Sequence, residues 1–176
     1  MISGYKFKCW RSYRPHGDQT FAQAVGNSCN PVMAQVAFKL GYDKFYEYLR
    51  GFGFDRKTGI DLPGEALGVM VNKDRAVDID LASMSIGQSN TYTPIQMITA
   101  IAAVANGGKL MQPYVVDRIT DNDGNVIKET KPTVVRQVVS AQTSQTMREI
   151  LNGVVEEGTG SKGKVEGYNV CGKTGT

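Results

Sequence analysis

The chain closes on a stretch that the rest of the fold must support: Val170-Cys171-Gly172-Lys173-Thr174-Gly175-Thr176. The residues Tyr168 to Cys171 predict a short strand running into a cationic, hydroxyl-bearing end. Thr174 and Thr176 are two residues apart, so on a strand their hydroxyls face one side. Gly175 between them carries no side chain, which lets a substrate backbone come close. With the fixed charge of Lys173, such an edge suits an anion, a terminal carboxylate for example. A single lysine in a glycine-rich loop is more often simply solvated. The stretch gains weight from a second one, Ser28-Cys29-Asn30, near the other end. Ser-x-Asn alone arises by chance in about every second chain of this length, so the order and pairing of the two stretches carry the meaning. Asn30 suits a helix N-cap and Pro31 the first helical position. Ser28 is then expected in a turn between two helices, its hydroxyl pointing outward.

At 176 residues the chain is long enough for one domain with a core. Its net charge of +3 is small and its basic residues are scattered, which speaks against a nucleic-acid partner. No run of 18 apolar residues is present, and the basic, aromatic opening from Met1 to Trp10 lacks the apolar centre of a signal peptide. Cys9, Cys29 and Cys171 show no paired metal spacing, and His16 as the one histidine suggests no ligand cluster. Neither a metal nor a cofactor is expected. The cysteines read as free and mostly buried, with a Cys9–Cys29 pairing left open. His16 reads as a turn or packing residue, since Asp18 is its one neighbouring carboxylate.

Along the chain, Tyr5 to Trp10 predicts a half-exposed strand, and Thr20 to Gly26 a short helix with Phe21, Ala24 and Val25 on one face. A helix after Asn30 is expected to stop at Gly41, and another to span Asp43 to Arg50. Asp74 to Ser85 holds a short helix. Thr93-Pro94 repeats the cap-plus-proline signal ahead of Ile95 to Ala105, which is apolar on nearly every face and so predicts the most buried helix. Asp123-Gly124 marks a hairpin between Tyr114–Thr120 and Asn125–Thr130. Val134 to Val139 is extended, and Ser140 caps a helix carrying Met147, Ile150, Leu151 and Val154. Helices and strands in segregated blocks give an α+β class.

Ser28-Cys29-Asn30 and Lys173-Thr174-Gly175 correspond to two of the three signatures of penicillin-binding proteins and class A β-lactamases, with Cys29 standing where those β-lactamases carry aspartate. Other segments agree in order: Phe52-Gly53-Phe54, Thr58 to Glu65, Ser85-Ile86-Gly87-Gln88, Thr93 to Met97, Ala105-Asn106-Gly107-Gly108 and Gly158-Thr159-Gly160. Over essentially its whole length the chain resembles the transpeptidase domain of penicillin-binding proteins, the monofunctional class B type above all. The resemblance implies an antiparallel sheet flanked by helices, as in serine β-lactamases. It also implies a serine acyltransferase that cross-links peptidoglycan stem peptides and is acylated by β-lactams. By the same resemblance Ser28 passes a proton toward the leaving group and Asn30 hydrogen-bonds the substrate. Lys173 supplies positive potential, Thr174 and Thr176 hold the carboxylate beside Gly175, and the Thr176 N–H is an oxyanion donor. Proton relay requires Ser28 and Lys173 within hydrogen-bond or one-water reach.

The family's first signature, Ser-x-x-Lys on a buried helix, has no convincing counterpart. Ser3-Gly4-Tyr5-Lys6 is followed by no apolar helix, and Ser161-Lys162-Gly163-Lys164 lies in a glycine-rich loop after the second signature. Residues 1–176 are therefore expected to form a partial transpeptidase domain, incomplete at both ends and inactive by itself. The full-length protein is expected at the outer face of the cytoplasmic membrane, within a cell-wall synthesis complex. Two other readings use the same fold: a β-lactam sensor, against which Asp61-Leu62-Pro63-Gly64-Glu65 speaks, and a non-catalytic interaction module.

Overall fold

The computed structural model describes residues 2 and 4–175. They fall into two units, residues 1–47, 70–91 and 145–176 in the first and residues 48–69 and 92–144 in the second. Helices and antiparallel strands are segregated along the chain, in agreement with the α+β expectation.

In the first unit, α1 (Phe21–Gly26) begins where Thr20 and Gln23 cap each other. Thr20 Oγ1 accepts from the Gln23 N–H, and Gln23 Oε1 accepts from the Thr20 N–H at 2.9 Å. After a turn, α2 (Asn30–Gly51) begins at Asn30 and breaks at Gly41, whose φ of 80° and ψ of 163° are open essentially to glycine alone. The helix after Asn30 thus stops where the sequence indicates. Its two halves supply Ala37 and Tyr46 to a core shared with Leu81 and Met84 of α3 (Asp78–Met84). Tyr46 is almost fully buried and donates its hydroxyl proton to the Val71 carbonyl at 3.0 Å. Burying a side chain of this size contributes roughly 1.5–3 kcal/mol, and the hydrogen bond removes the penalty of an orphaned phenol. The helix α5 (Ala141–Glu156), capped as expected by Ser140, brings Val154 and Val155 into this unit as buried residues.

Two strand predictions fail here. The Tyr5–Trp10 segment forms no strand; its only ladder contact is a single bridge between Ile2 and Tyr5. Residues 168–171 form none either. The N–H groups of Tyr168 and Val170 bond locally to the Val165 and Tyr168 carbonyls, while the Val170 carbonyl accepts from Asn152 Nδ2 of α5 at 3.0 Å and the following Gly172 N–H donates to the Leu151 carbonyl at 3.2 Å. Alternating apolar residues state a preference for extension, but a strand also requires a partner in register.

In the second unit, Thr93 and Pro94 start α4 (Pro94–Ala105) through a capping box with Gln96. Its apolar character does not make it buried throughout. Gln96, Thr99, Ala100 and Ala103 face inward, whereas Ile98 and Ile101 are 56% and 54% exposed. A helix apolar all round leaves the choice of face to something else, here Gln96. Its Nε2 donates toward the carbonyls of Gly53, Phe54 and Arg56, and its Oε1 accepts from the N–H groups of Gly68 and Thr93. Fixing that amide inward turns the i, i+3, i+4, i+7 row of small side chains inward with it. β1 (Lys109–Met111) pairs antiparallel with β4 (Val134–Gln137), and β2 (Arg118–Thr120) with β3 (Val126–Glu129) in the expected hairpin. The flanking motif Asp61 to Glu65 works as a pair of latches. Asp61 accepts from the N–H groups of Val115 and Val116, and Glu65 from the N–H and hydroxyl of Thr58 and the N–H of Gly59.

Candidate active site

The turn between α1 and α2 begins as an ordinary helix end. The Cys29 N–H bonds the Ala24 carbonyl at 3.0 Å and the Ser28 N–H bonds the Val25 carbonyl at 3.1 Å. These are the paired 6→1 and 5→2 bonds of a Schellman motif, in which the residue after the cap takes a left-handed conformation and is usually glycine. Here that residue is Ser28, at φ +51°. A serine held there costs roughly 1 kcal/mol or more, and the geometry aims its hydroxyl out of the turn as the sequence predicts.

Lys173 reaches that hydroxyl from the far end of the chain. Its Nζ donates to Ser28 Oγ at 2.9 Å, to Thr174 Oγ1 at 2.9 Å and to the Thr174 carbonyl at 3.1 Å. The three protons of an ammonium are thereby all engaged, and the proximity expected of Ser28 and Lys173 is found. Lys173 is exposed overall, but loss of hydration at its ammonium lowers its pKa below the ordinary lysine value. A hydroxyl that accepts from an ammonium keeps its own proton free to donate outward, the polarity needed to hand a proton to a departing amine.

Thr174 is held in turn by Thr159, their hydroxyls 3.4 Å apart. The Thr159 N–H and hydroxyl both donate to the Gly26 carbonyl, at 3.0 and 3.2 Å. Gly26 ends α1 two residues before Ser28, so the polar contacts close a ring through Gly26, Thr159, Thr174, Lys173 and Ser28. Gly158 makes the closure possible: a Cβ there would lie 2.6 Å from the Gly26 oxygen and 2.9 Å from the Val154 oxygen. Sequence reasoning places Gly158-Thr159-Gly160 in a family segment and gives Thr159 no role. The signal available was a hydroxyl between two glycines, and only the fold shows what it holds.

Asn30 opens α2, partly buried, and is not among the ammonium's partners. Gly175 is exposed, and a Cβ added to it would meet nothing within 4 Å, so no neighbour in the chain demands glycine there. Thr176 lies outside the described residues, as does Ser3. Ser161 is exposed at the start of a short 3-10 turn, and Lys164 pairs with the Glu156 carboxylate. A cleft of about 420 Å³ lined by Gln23, Asn27, Glu149 and Glu157 lies in the same unit and holds neither Ser28 nor Lys173. One expectation is corrected: Cys9, His16 and Cys29, unrelated by spacing, are brought together, with Cys9 Sγ 3.1 Å from His16 Nδ1. The three cysteines are free thiols, Cys29 buried, Cys9 partly so and Cys171 exposed.

Residues 2–176 match the family model described as penicillin binding protein transpeptidase domain. Stage V sporulation protein D of Bacillus subtilis is 40% identical over 179 residues, which cover 99% of this chain and 27% of that protein. Penicillin-binding protein PbpB of Mycobacterium tuberculosis is 36% identical, over 89% of this chain and 24% of that one. The chain therefore spans about a quarter of the length of the curated relatives it matches. Among solved structures, the imipenem acyl-enzyme complex of penicillin-binding protein A from M. tuberculosis matches with a TM-score of 0.86 at 27% identity, over 100% of this chain and 41% of that one. Penicillin-binding protein 3 of M. tuberculosis complexed with ampicillin matches with a TM-score of 0.82 at 34% identity, over 89% and 36%.

Proposed function

Because the chain belongs to the penicillin-binding protein transpeptidase family, we propose that the whole protein is a class B peptidoglycan D,D-transpeptidase. In this reading residues 1–176 supply the second and third signatures of its active site. The attacking serine comes from a Ser-x-x-Lys helix elsewhere in the protein. It opens the bond between the terminal D-alanines of a stem peptide, D-alanine leaves, and an amine of a neighbouring stem displaces the enzyme. β-Lactams acylate the same serine. No helix among the described residues is long and apolar enough to cross a membrane; in this reading the whole protein works at the outer face of the cytoplasmic membrane, within a cell-wall synthesis complex.

The observation that carries the proposal is the 2.9 Å contact from Lys173 Nζ to Ser28 Oγ. Lys173 holds the Ser28 oxygen and lends positive potential to the substrate carboxylate. Ser28 gives its proton to the departing amine nitrogen and is reprotonated when the incoming amine sheds its own. Thr174 and Thr176 hydrogen-bond the carboxylate beside the open face of Gly175, Asn30 binds the substrate amide, and the Thr176 N–H faces the oxyanion.

Fluorescent penicillin tests this. The 176-residue chain is expected to remain unlabelled, since neither Ser3 nor Ser161 opens an apolar helix in the sequence and Lys173, donating all three ammonium protons, does not serve Ser28 as a base. A chain extended upstream through a Ser-x-x-Lys helix is expected to label. Lys173→Ala in the extended chain should slow acylation by a factor on the order of 10²–10⁴, the usual range for a positioned proton-transfer or charge-stabilising group. An adduct on the 176-residue chain mapped to Ser3, Ser161 or Ser28, or an extended K173A chain that labels at the parent rate, overturns the assignment.

A further inference from the structure

Three soft or borderline metal ligands meet behind the Ser28 turn. Cys9 comes from the N-terminal segment, His16 from the loop that follows, and Cys29 from the turn itself. One ligand atom of each lies within 4.8 Å of the other two. In a tetrahedral zinc centre, Zn–S bonds of about 2.3 Å and a Zn–N bond of about 2.0–2.1 Å set the sulfurs roughly 3.8 Å apart and each sulfur roughly 3.6 Å from the nitrogen. The Cys9–His16 separation of 3.1 Å falls about half an ångström inside that triangle, and the 4.8 Å limit on the other two lies about an ångström outside it. Cys29 is 4% exposed, whereas Cys9 and His16 are partly open, giving a dry side and an entry side. The ligand nitrogen is Nδ1, which already faces Cys9; Nε2, buried and without a hydrogen-bond partner among the described residues, keeps the ring proton of the neutral imidazole when Nδ1 binds an ion.

We propose that Cys9, His16 and Cys29 form a Zn²⁺ site with one open coordination position. Two thiolates and one neutral imidazole select zinc over hard cations. Binding releases the two thiol protons and leaves the centre with no net charge. The effect would be mechanical: Cys29 sits between Ser28 and Asn30, so the ion ties the N-terminal segment to the turn that positions both. Because zinc binds the folded chain, it stabilises that chain in proportion to the logarithm of its concentration above Kd.

The 176-residue chain under reducing conditions is titrated with Zn²⁺ against a chromophoric chelator, and separately with Co²⁺ to look for thiolate-to-metal charge transfer. One ion per chain, a sulfur charge-transfer band and a rise in Tm with added zinc are expected. C9S and H16Q should each weaken binding at least 100-fold, while C171S should bind like the parent. If C29S fails to fold, C9S and H16Q, at the more open positions, still decide. No uptake by the folded chain, uptake that survives C9S or H16Q, or a cobalt spectrum without sulfur bands overturns the site. So does a Cys9–Cys29 disulfide that forms in air as fast with stoichiometric zinc as without, since bound thiolates are protected.

Discussion

Gly158→Ala is the sharpest test of the ring that holds Ser28 and Thr174. The added Cβ would stand 2.6 Å from the Gly26 oxygen, 2.9 Å from the Val154 oxygen and 3.0 Å from Val154 Cα. All three are backbone atoms of two different helices, so no flexible side chain can yield. Relief requires the loop to move by most of an ångström. That stretches the Thr159 N–H to Gly26 bond of 3.0 Å, and the bonds from the Gly158 and Gly160 N–H groups to Val154 at 3.1 and 3.0 Å. Overpacking of this kind costs roughly 1–3 kcal/mol, and a hydrogen bond lost without replacement about 1 kcal/mol more, for a total near 2–4 kcal/mol. Gly153→Ala, in the last turn of α5 with nothing within 4 Å of its Cβ, should go the other way and stabilise by about 0.5 kcal/mol. Urea unfolding of both variants reads the difference from the midpoints at unchanged slope. A G158A chain within about 0.5 kcal/mol of the parent would mean that the loop shifts freely, and the ring would then not be what fixes the site.

Two further outcomes follow from the same reasoning. Gln96→Leu should cost about 3–5 kcal/mol in denaturant unfolding, because it strands buried carbonyls and N–H groups of the second unit; a loss below about 1 kcal/mol would show that water replaces the amide. Tyr42 has its pKa pushed up to about 12 by burial and by the Asp78 carboxylate that accepts its hydroxyl proton at 2.9 Å. The raised value means its stabilising contribution is complete below the ordinary tyrosine range near 10 and disappears as pH climbs through about 12. An absorbance-monitored alkaline titration should show a late tyrosine step that moves to lower pH in D78N, and an unmoved step would dissociate Asp78 from it.

What the sequence made legible was mostly local. Thr93 and Ser140 announce helix starts because a cap acts on N–H groups two or three residues away, and both cap the helices they precede, whereas Asn30, expected as a cap, is the first residue of α2 itself. Asp123-Gly124 and Gly41 likewise act where they stand. Ser28 and Lys173 met because two short signatures in family order carried long-range information that periodicity lacks. The failures concern partners. Residues 168–171 and Tyr5–Trp10 needed a neighbouring strand that their own alternation could not guarantee. The exposed side of α4 was decided by Gln96 reaching Gly53 and Arg56, far away in the chain. Cys9, His16 and Cys29 show no spacing pattern because they lie on the N-terminal segment, the loop after it and the turn before α2, which only the fold brings together.

Ser28 marks a conflict between folding and chemistry. At φ +51° the backbone of Ser28 would be easier as glycine. A chain drifting under selection for thermal endurance alone would therefore shed the hydroxyl, gaining robustness as it lost one of the three oxygens that hold Lys173. Keeping serine at that position requires selection for something other than folding. The strained backbone at Ser28 thus accords with the proton-relay role proposed for it.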